Sequence, residues 1–374
     1  MANLFFIHTP FQLFVAQQII AQEKITNNIM CYGCVGNNTS FFKIYNAIII
    51  PDFWKQKIYI DNIEGWSLFR FSNPFKGVIS TIKTKIKIER VMKKENVKQI
   101  FLGDIWNKCY QLISLYYYNK GYKICFFEEG SSHYININSS VMYDNICSRL
   151  IRAVLSDLFF YFPIWKMCFS KRAYLKPLQY DDLKISTRFS IRPKYNEKYD
   201  KRLYIRNIVS NNVQDIINSS LAQIVENNNI LFLSEPLDIN SPNCMKVEIE
   251  ALRDYLLQVV GIGTILVKFH PRENEIKKAS VLSVFKELSL PYCVICEEIN
   301  IPVEYFLMRI KFNKILTYFC STVFYNGYIF PQTEIISLLP KCEDVARNLN
   351  DNLIIESLGE LLNSNMYSEL FNHK

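Results

Sequence analysis

NLFFIHTPFQLFVAQQIIAQ, residues 3–22, joins an unbroken apolar run to a helix start. Leu4 to Ile7 lacks polar alternation, the pattern of a strand buried on both faces. Thr9 then offers a capping hydroxyl, Pro10 suits the first helical position, and Gln12 stands where a capping box places its returning side chain. A strand that delivers straight into a capped helix is the first half of a βαβ unit.

The pattern recurs along the chain. Strand-like runs, each followed by turn or helix signals, lie at 28–35 (NIMCYGCV), 56–60, 99–104 and 122–129. A second set lies at 229–235, 263–270, 292–298, 313–319 and 333–339. Between the sets, residues 188–228 are polar and charged, with no strong buried strand. We therefore expect a first domain over 1–187, a linker region over 188–228, and a second domain over 229–374 closed by a helix from DNLIIESLGELLN, 351–363. The fold class is α/β: two Rossmann-like parallel-sheet domains whose strand ends are expected to face a central cleft, where ligands of such sheets bind.

Bulk properties agree with two cores. The 374 residues exceed what one hydrophobic core usually organises, and 49% are apolar, which excludes a disordered chain. The eleven cysteines are expected to be free thiols, since MANLFFIHTP lacks the charged start and cleavage site of a secretory signal, and this points to a cytoplasmic protein. The pairs Cys31/Cys34 and Cys293/Cys296 have C-x-x-C spacing, but in strands residues three apart point to opposite faces, so no metal site is expected from them. Eleven glycines provide neither a dinucleotide fingerprint nor a P-loop.

Net charge is +8, from 43 basic and 35 acidic residues. The excess is visible in STIKTKIKIERVMKKENVK, residues 80–98. Ile79, Ile82, Ile86 and Val91 lie near helical spacing as the apolar face, leaving Lys83, Lys87, Arg90 and Lys94 for another. That basic face reads as solvated surface or as a contact for anionic lipid or an acidic glycan; nucleic acid is not expected, because no aromatic-rich binding motif accompanies the charge. AVLSDLFFYFPIWKMCF, residues 153–169, is too short and too interrupted by Asp157 and Pro163 to span a bilayer, and reads as a buried helix or a peripheral membrane contact.

Four groups able to carry chemistry fall at carboxyl ends of expected strands: Glu128-Glu129-Gly130, Ser234-Glu235-Pro236, His270-Pro271 and Ser321-Thr322. Adjacent carboxylates raise one another's pKa, which suits a base. His270 is one of four histidines, and Pro271 directly after it stops strand pairing and opens a helix. Ser321 and Thr322, with the amides of a starting helix, could hold a phosphate.

The order E-E-G, H-P, S-T, with HTPFQ at the start, resembles the bacterial sialyltransferases of the polysialyltransferase-like and lipooligosaccharide groups. The resemblance implies a GT-B fold. It also implies that Glu129 takes the proton from the acceptor hydroxyl, with Glu128 tuning it and Gly130 completing the motif. His270 and Pro271 would stand at the phosphate of CMP, with Ser321 and Thr322 binding the same phosphate. Glu304, in INIPVEYFL, would meet the ribose. One related group places its proposed base near the end of the strand that carries Glu235, which makes Glu235 a rival base. Thr9 and Gln12 would shape the sugar side, unless they serve only as caps.

The expected activity is an inverting, metal-independent sialyltransferase. It would move sialic acid from CMP-sialic acid to a terminal sugar of a bacterial surface glycan, such as lipooligosaccharide, O-antigen or capsule. No cofactor is expected: no D-x-D pair occurs in the chain, and a single phosphate can be met by histidine, hydroxyls and amides. Partners would be CMP-sialic acid, a glycan or glycolipid acceptor and an anionic membrane surface. The alternatives are an α-2,8-polysialyltransferase of capsule synthesis, an enzyme of a related donor such as CMP-Kdo, and a non-catalytic glycan-binding protein of the same fold.

Overall fold

The computed structural model describes residues 1–33, 40–60, 74–103, 108–128, 186–192, 199–221, 229–237, 239, 241–259, 263–271, 273–295 and 299–371. The chain divides into two compact units, Met1–Ser210 and Asn211–Lys374.

The first unit holds seven strands: β1 (Ala2–Ile7), β2 (Asn28–Tyr32), β3 (Gln56–Tyr59), β4 (Val97–Leu102), β5 (Lys123–Phe127), β6 (Thr187–Ser190) and β7 (Asp200–Arg202). Their order is β3-β2-β1-β4-β5-β6-β7, and every neighbouring pair is parallel. The chain begins in the middle of the sheet, winds outward to β3, then crosses back to add β4, so the topological switch point lies between β1 and β4. Helices α1 (Pro10–Glu23), α2 (Ser40–Ile48), α3 (Pro74–Lys94) and α4 (Lys108–Tyr118) connect the strands. Strand alternation sorts the core: Leu4 and Phe6 pack with Ile88, Met92, Ile113 and Tyr117. Phe5 stacks on Phe101 with ring centroids 4.2 Å apart.

The second unit repeats this winding with β8 (Ile230–Ser234), β9 (Ile265–Phe269), β10 (Tyr292–Val294), β11 (Lys314–Thr317) and β12 (Glu334–Ser337) in the order β10-β9-β8-β11-β12, again parallel throughout. Helices α5 (Asn211–Leu221), α6 (Cys244–Gln258) and α7 (Glu275–Glu287) belong to it. Its core joins Phe232, Val247, Leu252, Val267, Phe285 and Leu316 to the closing helices. The closing helix runs Asn352–Leu362, capped by Asp351, whose carboxylate accepts from the Ile354 amide; a short helix, Asn365–Phe371, follows.

Two expectations change. Residues 188–228 do not form a free-standing linker: β6 and β7 extend the first sheet, and α5 opens the second unit. The chain after β7 lies along α1, where Gln18 exchanges hydrogen bonds with the Arg206 backbone, and reaches α2, where the Ser210 hydroxyl donates to the Ala47 carbonyl. The strands are hard to read because β7 is the short, charged Asp-Lys-Arg at a sheet edge, and Arg188 in β6 is buried against Asp200.

The second change concerns α3. Ile79, Ile82 and Ile86 are not its buried face; they are 50%, 43% and 49% exposed. The core is met instead by Thr84, Ile88 and Met92, with Val91 half-buried beside them. Two apolar rows at helical spacing run along this helix, and spacing alone cannot say which one the sheet takes.

Among the described residues no helix is long and apolar enough to cross a membrane. The segment 153–169 lies outside the described residues, as do Cys34 and Cys296 of the C-x-x-C pairs. Cys31 and Cys293 are buried free thiols, and burial pushes the Cys31 pKa up to about 12.

Candidate active site

In the second unit the switch point lies between β8 and β11, the crevice where parallel sheets take ligands. Glu235 follows β8 directly, Cys320, Ser321 and Thr322 follow β11, and His270 ends β9 on the other side of β8. Parallel pairing brings these three strand ends to one edge. The His270 amide donates to the Ser234 carbonyl at 3.0 Å, which holds the histidine beside Glu235. His270, Glu235 and Ser321 are partly exposed, and Pro271 is exposed.

A buried charge network underlies this edge. Lys277 of α7 sits 2.8 Å from Glu273 and 2.9 Å from Glu248 of α6, all three side chains being at most 5% exposed. Glu273 also accepts from the Ser234 hydroxyl at 2.6 Å and from the His270 amide at 3.3 Å, while its own amide donates to the His270 carbonyl. Glu248 accepts from the Leu237 amide at 2.9 Å, and Lys277 reaches the Glu235 carbonyl at 3.4 Å. Burial acts to lower the lysine's pKa, but Glu248 and Glu273 outweigh it and the net shift is upward. One ion triad thus clamps the backbone at the ends of two neighbouring strands, β8 at Ser234 and Glu235 and β9 at His270.

Glu304 and Thr322 also meet. Thr322 Oγ1 donates to Glu304 Oε1 at 2.9 Å, with both residues 5% exposed. Burial raises the Glu304 pKa, opposed by backbone and Thr322 hydrogen bonds and by Lys268. Lys268 in turn binds Asn300, whose amide nitrogen donates to the Phe269 carbonyl at 3.1 Å. Burial, with Glu235 next in strength, pushes the Cys320 thiol up. Ser321–Tyr325 is a 3-10 turn rather than the opening of an α-helix, so the amides after β11 form one tight turn.

In the first unit, Thr9 caps α1 by accepting from the Gln12 amide at 3.2 Å. Gln12 is fully buried; its Oε1 accepts from the His8 amide at 2.9 Å, one residue earlier than a capping box reaches. A Cβ on Gly103, at the end of β4, would stand 2.4 Å from the Gln12 Cδ, so glycine is what lets Gln12 cross the β1/β4 switch point. At the end of β5, Glu128 is buried and accepts from the Ile191 amide at 2.6 Å, fastening β5 to the chain after β6. Its side chain therefore turns inward. Glu129 and Gly130 lie outside the described residues.

With two sheets of 3-2-1-4-5 winding and their strand-end residues in view, relatives can be compared. The model of the family described as alpha-2,8-polysialyltransferase matches residues 3–339. The chain belongs to that family. Its members by description are sialyltransferases, and this chain is accordingly a glycosyltransferase of that kind. The GT-B fold is shared with solved structures. One is the GT-B domain of a sialyltransferase from Photobacterium damselae, at 10% identity over 96% of this chain and 97% of that one, with a TM-score of 0.50. Another is the UDP-GlcNAc 2-epimerase from Neisseria meningitidis, at 9% identity over 96% and 94%, with a TM-score of 0.51. No curated protein matches the chain.

Within this polysialyltransferase-family fold, sequence reading missed Glu273, Lys277, Glu248, Lys268 and Asn300. Glu273 and Lys277 stand at i, i+4, a spacing that could have flagged a pair at the start of α7. Their partner Glu248 on α6 had no local signal.

Proposed function

We propose that this chain is an inverting, metal-independent sialyltransferase that moves sialic acid from CMP-sialic acid to the terminal sugar of a bacterial surface glycan. The observation that supports this reading is the gathering of His270, Glu235, Ser321, Thr322 and Glu304 at one sheet edge of the second unit. This is a group suited to a sugar nucleotide with a single phosphate.

In the proposed reaction the bond between the sialic acid anomeric carbon and the CMP phosphate oxygen breaks. The acceptor hydroxyl attacks from the opposite face, and its proton passes to Glu129. Charge grows on the departing phosphate, where His270 and the Ser321 hydroxyl supply donors. Glu304 is assigned to the ribose, with Thr322 orienting it. Glu128 holds the strand end that leads to Glu129. Glu235 is the rival base, one residue from the clamped Ser234.

Release of CMP from CMP-sialic acid in the presence of a chelator, with and without candidate acceptors, tests the reading. Acceptor-dependent release that survives chelation supports it; no release with a broad acceptor panel contradicts it and favours a binding protein. Extension of an α-2,8-linked chain is the second reading, favoured by the family description. Product length separates the two.

A further inference from the structure

Helix α3 carries an exposed row of isoleucines opposite the face it gives to the core. Ile79, Ile82 and Ile86 follow one another at i, i+3 and i+7, each 43–50% exposed. Thr84, Ile88 and Met92 are buried on the far side. The row covers about 10 Å of helix length. It is bordered by exposed Lys83, Arg90, Lys93 and Lys94. Lys87 is exposed as well, with its Nζ donating to the Tyr59 carbonyl at 2.7 Å. Over Pro74–Lys94 the sequence PFKGVISTIKTKIKIERVMKK holds seven basic residues and one acidic one.

Among the described residues, the two acidic groups on or just past this helix are occupied. Glu89 accepts from the Tyr116 hydroxyl at 2.7 Å and lies 3.7 Å from Lys120. Glu95, just past the helix, is bound by Lys55 at 2.6 Å. What faces outward is an apolar ridge within a positive field, beside the exposed Lys83, Arg90 and Lys93.

We propose that α3 is a peripheral membrane-docking helix, lying in the headgroup plane of an anionic bilayer with Ile79, Ile82 and Ile86 inserted and Lys83, Arg90, Lys93 and Lys94 on lipid phosphates. Branched aliphatic side chains on a basic helix face are the chemistry of an interfacial helix. A polyanionic glycan would use the cations and leave the isoleucines unburied. A second copy of this chain would set the same positive face against itself.

The test is flotation of the full chain with vesicles of equal parts phosphatidylcholine and phosphatidylglycerol, and with vesicles of phosphatidylcholine alone. The wild type should bind the mixed vesicles and not the neutral ones. Ile82→Ser with Ile86→Ser should weaken binding about tenfold or more, since burying an isoleucine is worth at least about that. Lys83→Gln with Arg90→Gln should weaken it about 25-fold, roughly fivefold for each cation lost at the membrane surface. Both variants should keep the wild-type thermal midpoint, because all four positions are exposed. An isoleucine variant that binds mixed vesicles as tightly as the wild type overturns the proposal, and would leave an acidic glycan as the partner. So does a wild type that binds neither vesicle, whether or not it self-associates through this row.

Discussion

Replacing Lys277 by methionine preserves the reach of the side chain and deletes its charge. It leaves Glu248 and Glu273 in a site where their side chains are 3% and 0% exposed. Removing one partner of a buried ion pair costs about 3–5 kcal/mol. One lysine serves two carboxylates here, at 2.9 and 2.8 Å, so about 4 kcal/mol is the working figure. For a unit of this size that is a fall of roughly 8–16 °C in thermal midpoint. The pH dependence has a definite sign. In the wild type the lysine's folded pKa is raised, so its contribution is complete at neutral pH and lost only as pH climbs past about 10.4. In the variant Glu248 loses its cation while burial still holds its carboxyl above the usual range, so its cost fades as pH falls toward about 4.3. Calorimetric melts across that range would show the deficit shrinking on acidification, and adding Glu248→Gln and Glu273→Gln should recover part of it at neutral pH. A deficit under about 2 °C at neutral pH, or one that ignores pH, would refute the clamp.

Three other outcomes follow from the same geometry. Glu304→Gln removes a buried carboxylate whose pKa burial raises, so the variant should melt higher than the wild type at neutral pH and converge with it as pH falls toward about 4.3; melting curves at several pH values check this. The same substitution should weaken inhibition by free CMP, read from competition against the donor. Gly103→Ala drives a Cβ into the Gln12 side chain and should destabilise by about 1–3 kcal/mol, with Gln12→Ala restoring most of it in the double variant, measured by denaturant melts.

The inner strands of the two sheets, β6 apart, were legible because parallel strands covered on both faces read as continuous apolar runs, while the edge strands β3 and β12 are only partly covered. Leu4–Ile7, Ile100–Leu102 and Ile265–Val267 are all wholly or almost wholly buried. β6 and β7 were not legible, since a buried Arg188–Asp200 pair looks in sequence like solvated loop. Ile79, Ile82 and Ile86 misled for the opposite reason: periodicity reports an apolar stripe without saying what covers it. At the candidate site, His270, Glu235 and Ser321 could be found because they end strands or follow them closely, whereas Glu304, well past the end of β10 at Val294, was reached only through the family resemblance. The triad that fixes their backbone could not, because Glu248 meets Lys277 only through the packing of α6 and α7.

The central claim is that Glu129 and His270 carry the transfer, and single-turnover CMP release in the presence of a chelator tests it most directly. The account predicts that Glu129→Gln and His270→Ala each lower the rate by roughly 100-fold or more while the variants keep the wild-type melting temperature. Release at the wild-type rate from either folded variant would contradict it.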